Sequence, residues 1–153
     1  MPYFKKTPIG IVSLECDGEC VTKLTLNQSC SDVDLELPMP SVAVEAFREL
    51  DEYFAGKRKK FDIALKPDGT AFMKRVWRNV LKVEYGRTSS YKEIAILSGN
   101  SRATRAVGMA NNRNPIPIFI PCHRIIGSNG KLVGYGGGLE IKKALLDLER
   151  RNS

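Results

Sequence analysis

One histidine occurs in the 153 residues, and it directly follows a cysteine in Pro121-Cys122-His123-Arg124. A cysteine reacts as its thiolate, with an ordinary pKa of about 8.5 that a neighbouring cation lowers. His123 and Arg124 are such neighbours, so Cys122 is a candidate nucleophile. Pro115, Pro117 and Pro121 stiffen the backbone before it. The ordinary alternative is a buried strand, Ile116 to Ile120, that happens to end in Cys and His. Adjacent side chains of a strand point to opposite faces. His123 then needs a turn or a bridging water to reach Cys122. The other cysteines, Cys16, Cys20 and Cys30, lack spacing for the four N/S ligands of a zinc site. Core packing suits them better, and no metal is expected.

The elements around this segment are readable. Residues 9–26 alternate apolar and polar about Asp17-Gly18, which predicts a β-hairpin. Ser41 is placed to cap a helix with Val44, Phe47, Leu50 and Phe54 on one side and Gly56 at its end. Phe61, Ile63 and Leu65 alternate as a short strand, and Pro67-Asp68-Gly69 marks a boundary. Beyond it, Phe72, Val76, Val80 and Leu81 predict an amphipathic helix that carries Trp77 and stops near Gly86. Ser90-Tyr91-Lys92-Glu93 is a capping box opening a short helix through Ile94, Ala95 and Leu97. Ser98-Gly99-Asn100-Ser101 is a turn, and Ser101 can cap a second short helix from Arg102 to about Asn111. Residues 139–151 form a last helix with Ile141, Leu145 and Leu148 as its stripe. The expected fold is therefore α+β. A sheet-plus-helix domain spans 1–66, and a mainly helical domain with a helix-turn-helix spans 67–153.

Charge separates the same halves. The first 65 residues hold 8 basic and 11 acidic side chains, a net −3, and the remaining 88 hold 16 and 6, a net +10. Such segregation points to a polyanion partner, nucleic acid first, although a solubilising surface also accounts for a basic face. Arg102 and Arg105, three apart, are expected on one face of the second short helix. Its small residues Ala103, Ala106, Gly108 and Ala110 suit close approach to a groove, or equally to another helix. The 42% apolar and 27% charged composition excludes a disordered chain. No apolar run reaches the ~20 residues of a membrane span, and the N-terminus does not read as a signal peptide. A cytoplasmic monomer is the expectation.

Asn114-Pro115-Ile116-Pro117-Ile118-Phe119-Ile120-Pro121-Cys122-His123-Arg124-Ile125-Ile126 resembles the acceptor-cysteine motif of the O6-alkylguanine-DNA alkyltransferases. Gly134-Tyr135-Gly136-Gly137-Gly138-Leu139 and Leu145-Leu146-Asp147-Leu148-Glu149 continue it. Thr88-Ser89-Ser90-Tyr91 and Ala103-Thr104-Arg105-Ala106-Val107-Gly108 resemble the family's helix-turn-helix. The resemblance runs over about residues 70–150.

It implies an enzyme of DNA repair that moves an alkyl group, such as methyl, from guanine O6 in double-stranded DNA to Cys122. The guanine is rotated out of the stack, because its exocyclic oxygen is out of reach inside the duplex. Arg105 would fill the gap, on a helix whose Arg102, Ala106 and Gly108 approach the groove. Tyr91 would turn the nucleotide and donate a hydrogen bond to the base. His123 would deprotonate Cys122 through a water, oriented by Glu149. Asn114 would tie the motif to the helix-turn-helix. Pro117, Tyr135 and the Gly136 backbone would line the alkyl pocket. A thioether is not reversed, so each molecule reacts once and needs no cofactor. A non-catalytic lesion binder and a DNA-independent cysteine hydrolase remain the alternatives; the presence of Cys122 opposes the first, and a stoichiometric end point would exclude the second.

Overall fold

The computed structural model describes residues 2–28, 38–135 and 138–153. Cys30 and Gly136 lie outside the described residues. By contacts the chain divides into two units, Met1–Pro67 and Asp68–Ser153.

In the first unit, β1 (Tyr3–Thr7), β2 (Gly10–Cys16) and β3 (Val21–Gln28) form an antiparallel sheet in sequence order. The predicted hairpin is β2–β3, with Leu14 opposite Leu24 and Cys16 opposite Val21. Its turn is held by Asp17, whose Oδ1 accepts the N–H groups of Glu19 and Cys20 at 3.0 and 2.8 Å. β1 was not anticipated, because Phe4-Lys5-Lys6-Thr7 has no apolar alternation; pairing with β2 makes it a strand. Helix α1 (Ser41–Phe54) packs on all three strands. Its buried face is Val42, Ala43, Ala46, Phe47, Leu50 and Tyr53, against Val12, Leu14, Val21 and Leu24 of the sheet unit.

Three expectations about this unit fail. Ser41 does not cap α1: Pro40 occupies the cap position, and its carbonyl accepts Ala43 and Val44 N–H. The buried face also lies a fraction of a turn from the one read, leaving Val44 55% exposed. Residues 61–65 form no strand. Asp62 and Ile63 donate their N–H groups to the buried Glu49 carboxylate at 3.0 and 3.2 Å. A single bridge, Val21 to Leu65, reaches the sheet.

The second unit contains α2 (Ala71–Val80), α3 (Tyr91–Leu97), α4 (Thr104–Asn112) and α5 (Leu139–Asn152). The two-residue strands β4 (Ser89–Ser90) and β5 (Ile125–Ile126) pair in parallel. Thr70 caps α2 by accepting Met73 N–H at 3.1 Å. The helix ends at Val80, earlier than predicted, and Leu81 is exposed. Tight turns through Lys82 and Val83 then carry the chain to Gly86, whose φ is +77°. The capping box opening α3 is complete: Ser90 accepts Glu93 N–H at 3.0 Å and Glu93 accepts Ser90 N–H at 3.2 Å.

The α3–α4 pair with Gly99 at φ +94° is the predicted helix-turn-helix, but α4 starts later than expected. Ser101 caps nothing. Asn100 Oδ1 takes Arg102 N–H at 3.0 Å and Asn100 O takes Ala103 N–H, so these residues complete the turn. Arg102 therefore precedes α4 and does not share a helical face with Arg105. In α5 the buried stripe is Lys142, Leu145, Leu146 and Glu149; Ile141 and Leu148 flank it at the boundary. No described helix is long and apolar enough to cross a membrane.

Candidate active site

Cys122 does not end a strand. Residues 116–121 wind through tight turns: Phe119 N–H bonds Pro117 O at 2.9 Å, Ile120 N–H bonds Ile116 O at 2.9 Å, and Cys122 N–H bonds Ile120 O at 2.7 Å. Cys122–Arg124 is then one 3₁₀ turn. The prolines are the reason, since each removes a ladder donor. Ile118 sits at φ +72°, a strained conformation for a β-branched residue. The burial of Ile116, Ile118 and Ile120 holds it there. Backbone strain next to a reactive group is typical of functional sites. The alternation argument against Cys–His cooperation lapses with the strand.

Two asparagines fasten this segment to the end of α4. Asn111 Nδ2 donates to Cys122 O at 3.1 Å. Asn114 Nδ2 donates to Ile120 O at 2.8 Å, and its Oδ1 accepts Ile116 N–H at 2.9 Å. The Asn114 side chain also faces the Cys122 thiol. The acceptor turn is thus tied to the helix-turn-helix through hydrogen bonds. Asn111 was not singled out from sequence.

Glu149 comes from α5, and it is 1% exposed, so it is no solvated helix end. Its Oε2 lies 2.5 Å from His123 Nε2, and Arg124 Nε donates to its Oε1 at 2.8 Å. Arg124 also donates to Val83 O at 2.7 Å. Burial alone would push the Glu149 carboxyl up. The hydrogen bond to His123, together with the hydrogen bond and charge of Arg124, outweighs it and holds the carboxyl down at about 2. Burial lowers the His123 pKa despite the opposing carboxylate, so the imidazole is neutral at neutral pH. With Nε2–H assigned as donor to Glu149, Nδ1 carries the lone pair. That nitrogen is buried and makes no hydrogen bond to a described protein group. It is a base oriented by a carboxylate, with its basic atom uncommitted.

The thiol itself differs from expectation. His123 and Arg124 were expected to lower its pKa, but burial pushes it up to about 11. The physical reason is that both neighbours are engaged with Glu149, the histidine as a neutral ring. Weaker opposing influences come from Asn114, Lys142 and Tyr135. At neutral pH the resting group is the thiol, so a nucleophilic role would require its proton to leave.

Tyr91, the first residue of α3, donates its hydroxyl hydrogen bond to Val133 O at 2.8 Å. Gly108 on α4 lies behind the tyrosine ring: a Cβ there would stand 3.9 Å from it. Burial and then the Cys122 charge raise the pKa of Tyr91, and the same two causes raise that of Tyr135, so both stay protonated. The Tyr135 hydroxyl is buried and faces the thiol. Pro117 is half-buried at the start of the turns that lead to Cys122. Arg105 and Ala106 are exposed on α4, and Arg102 is exposed in the turn before it.

Sequence reasoning missed Lys142. It is 0% exposed, and its Nζ donates to Ile125 O at 2.6 Å, Val133 O at 3.0 Å and Gly134 O at 3.3 Å. Tyr91 Oη is 3.5 Å away. Burial lowers its pKa to about 8. The available signal was spacing, for Lys142, Leu145, Leu146 and Glu149 share one helical face. Reading that face as apolar hid a lysine and a glutamate.

Among the described residues no group of three His, Cys, Asp or Glu side chains could hold a metal ion. Cys16, Cys20 and Cys122 are free thiols.

Comparison with known proteins agrees across the whole chain. Residues 4–67 match the family model "6-O-methylguanine DNA methyltransferase, ribonuclease-like domain". Residues 71–151 match "6-O-methylguanine DNA methyltransferase, DNA binding domain". A methylated-DNA–protein-cysteine methyltransferase of Methanosarcina acetivorans is 47% identical over 149 residues, covering 94% of each chain. One from Methanosarcina barkeri is 58% identical over 108 residues, 71% of this chain and 68% of the relative. The crystal structure of Mycobacterium tuberculosis OGT in complex with DNA superposes with a TM-score of 0.89 at 44% identity, covering 99% and 94% of the two chains. With both halves matched in order, the chain belongs to the 6-O-methylguanine DNA methyltransferase family.

Proposed function

We propose that this protein repairs DNA by moving an alkyl group, methyl in the simplest case, from O6 of a guanine in double-stranded DNA to Sγ of Cys122. The Glu149–His123 pair, with a bare Nδ1 one residue from the buried thiol, is the observation that carries this reading. His123 takes the thiol proton through a water, and Glu149 stabilises the imidazolium that forms. The sulfur attacks the alkyl carbon in line; the S–C bond forms as the C–O6 bond breaks. The electron pair returns to guanine, which regains a ring proton from water as His123 gives up the one it took, and Tyr91, its hydroxyl turned from Val133 O, donates a hydrogen bond to the departing base. Atoms and electrons balance without a cofactor. The thioether persists, so each molecule acts once.

The reading gives residues 67–153 both DNA binding and alkyl acceptance, with residues 1–66 as a separate α+β domain. Arg105 fills the space left by the rotated guanine, while Arg102, Ala106 and Gly108 lie along the minor groove. Exposure of Arg105 and Ala106 on α4 supports that assignment. Asn114 acts as the hinge between the acceptor turn and the helix-turn-helix, and Pro117, Tyr135 and Gly136 border the alkyl group. The protein works in the cytoplasm as a monomer.

Incubation with duplex DNA containing O6-methylguanine should add one methyl group to the Cys122 peptide, read by mass spectrometry. Cys122→Ser should abolish the transfer. Methylation at Cys16, Cys20 or Cys30, or continued turnover beyond one equivalent, would overturn the assignment.

A further inference from the structure

Outside the acceptor site lies a buried polar pair that the proposed transfer does not use. Asn79 lies on α2 between Arg78 and Val80, on the face with Val76. It is buried, and its Nδ2 donates to the Ser98 hydroxyl at 3.0 Å. Ser98 is also buried and is the residue that ends α3, the first of the turn leading to α4. One helical turn before Asn79, Arg75 donates from Nη1 to Ser98 O at 3.4 Å. Lys82 donates to Asn79 Oδ1 at 3.3 Å, so the amide is hydrogen-bonded at both its nitrogen and its oxygen. Two side chains of one α2 face therefore hold one residue at the pivot of the helix-turn-helix.

The far end of α4 is held by the same helix, because Trp77 Nε1 donates to Ala110 O at 2.9 Å. Between these two attachments lie Gly99, the Asn100 turn and Arg105. Apolar contacts would permit α4 to slide or roll on α2; directional hydrogen bonds at both ends do not. A buried amide facing a buried hydroxyl is an expensive way to pack a helix unless each satisfies the other.

We propose that Asn79 and Ser98 are positioning residues that set the angle at which α4 presents Arg105 to DNA, and that they take no part in alkyl transfer itself. The proposal rests on the reading that α4 is the DNA-contacting helix.

The test compares two reactions of the full chain, both followed as methylation of the Cys122 peptide. One substrate is duplex DNA with O6-methylguanine; the other is the free base O6-methylguanine, which offers α4 no duplex to contact. Asn79→Leu and Ser98→Ala should each slow the duplex reaction about three- to tenfold at limiting DNA, the range for losing one buried hydrogen bond. The free-base reaction should stay within about twofold in the same conditions. Ser98→Thr, which keeps the hydroxyl, should restore the duplex rate. A purely structural role would not change the duplex-to-free-base ratio measured well below the melting temperature. An unchanged ratio in both variants, or no rescue by Ser98→Thr, would overturn the proposal. Arg105→Ala separates the two ideas: if it leaves the duplex rate intact, the DNA-contact reading is what fails.

Discussion

Cys122 is a thiol whose surroundings oppose its ionisation, while a neutral His123 beside it is held ready to accept a proton. Those facts belong together. A thiolate standing in the resting protein would react with any alkylating molecule that reached it, whereas a thiol that loses its proton only during attack is kept for a positioned substrate. Because burial raises the folded pKa above its ordinary value, to about 11, the native protein holds less thiolate than the unfolded chain over that range. Iodoacetamide labelling of native Cys122 should therefore reach half its limiting rate only near pH 11, while the urea-denatured chain should do so about two pH units lower. Peptide mass spectrometry separates Cys122 from the other thiols. A native midpoint equal to that of the denatured chain would show that burial does not control the thiol. Glu149 and Arg124 complete the residue-scale picture as an ion pair whose members each also serve another group, the histidine ring and the Val83 carbonyl.

The elements that present these residues are short, so their ends matter. α3 has 7 residues and opens with the reciprocal Ser90–Glu93 box. An isolated helix of this length is not stable in water. Its first residue is Tyr91, so fraying there would move a side chain assigned to the substrate. Ser90→Ala should cost about 1 kcal/mol of stability, the usual value of an N-cap, read from urea unfolding with unchanged m. A cost near zero would mean that packing of Ile94 and Ala95 alone holds the helix. At this scale the sequence was legible where side-chain chemistry is local. The capping box and the Asp17-Gly18 turn need only neighbours within three residues. The caps assigned to Ser41 and Ser101 fail for the same reason in reverse. Pro40 and the Asn100 turn compete for the same backbone groups, and a single residue type does not reveal that competition.

For the whole molecule the relevant quantity is the distribution of charge. The excess of +10 on residues 66–153 faces a polyanion in the proposed reaction. Duplex affinity should fall linearly on a log–log plot against salt, with a slope of about −0.9 per phosphate contact. Neutralising one phosphate-contacting arginine should shallow that slope by about 1. Arg102→Ala and Arg105→Ala distinguish the two positions. Arg102, in the turn before α4, is expected to change the slope. Arg105, assigned to the base stack, should cost affinity with the slope nearly kept. A slope close to zero in the unaltered protein would remove DNA phosphates from the account.

The sequence by itself determined what is local or shared with relatives: the α+β order, the hairpin, the capping box, the acceptor motif and the family. It also placed Glu149 on the last helix. The tertiary structure decided how those residues behave. It replaced a strand at Cys122 with a 3₁₀ turn, because proline removes ladder donors and the buried isoleucines hold Ile118 at positive φ. It moved Arg102 off the α4 face and put Lys142 and Asn79 inside the protein. A sequence carries the type and spacing of each group, but burial and partnership arise when distant segments meet. For Cys122, whose motif suggested a lowered pKa, that meeting reverses the direction.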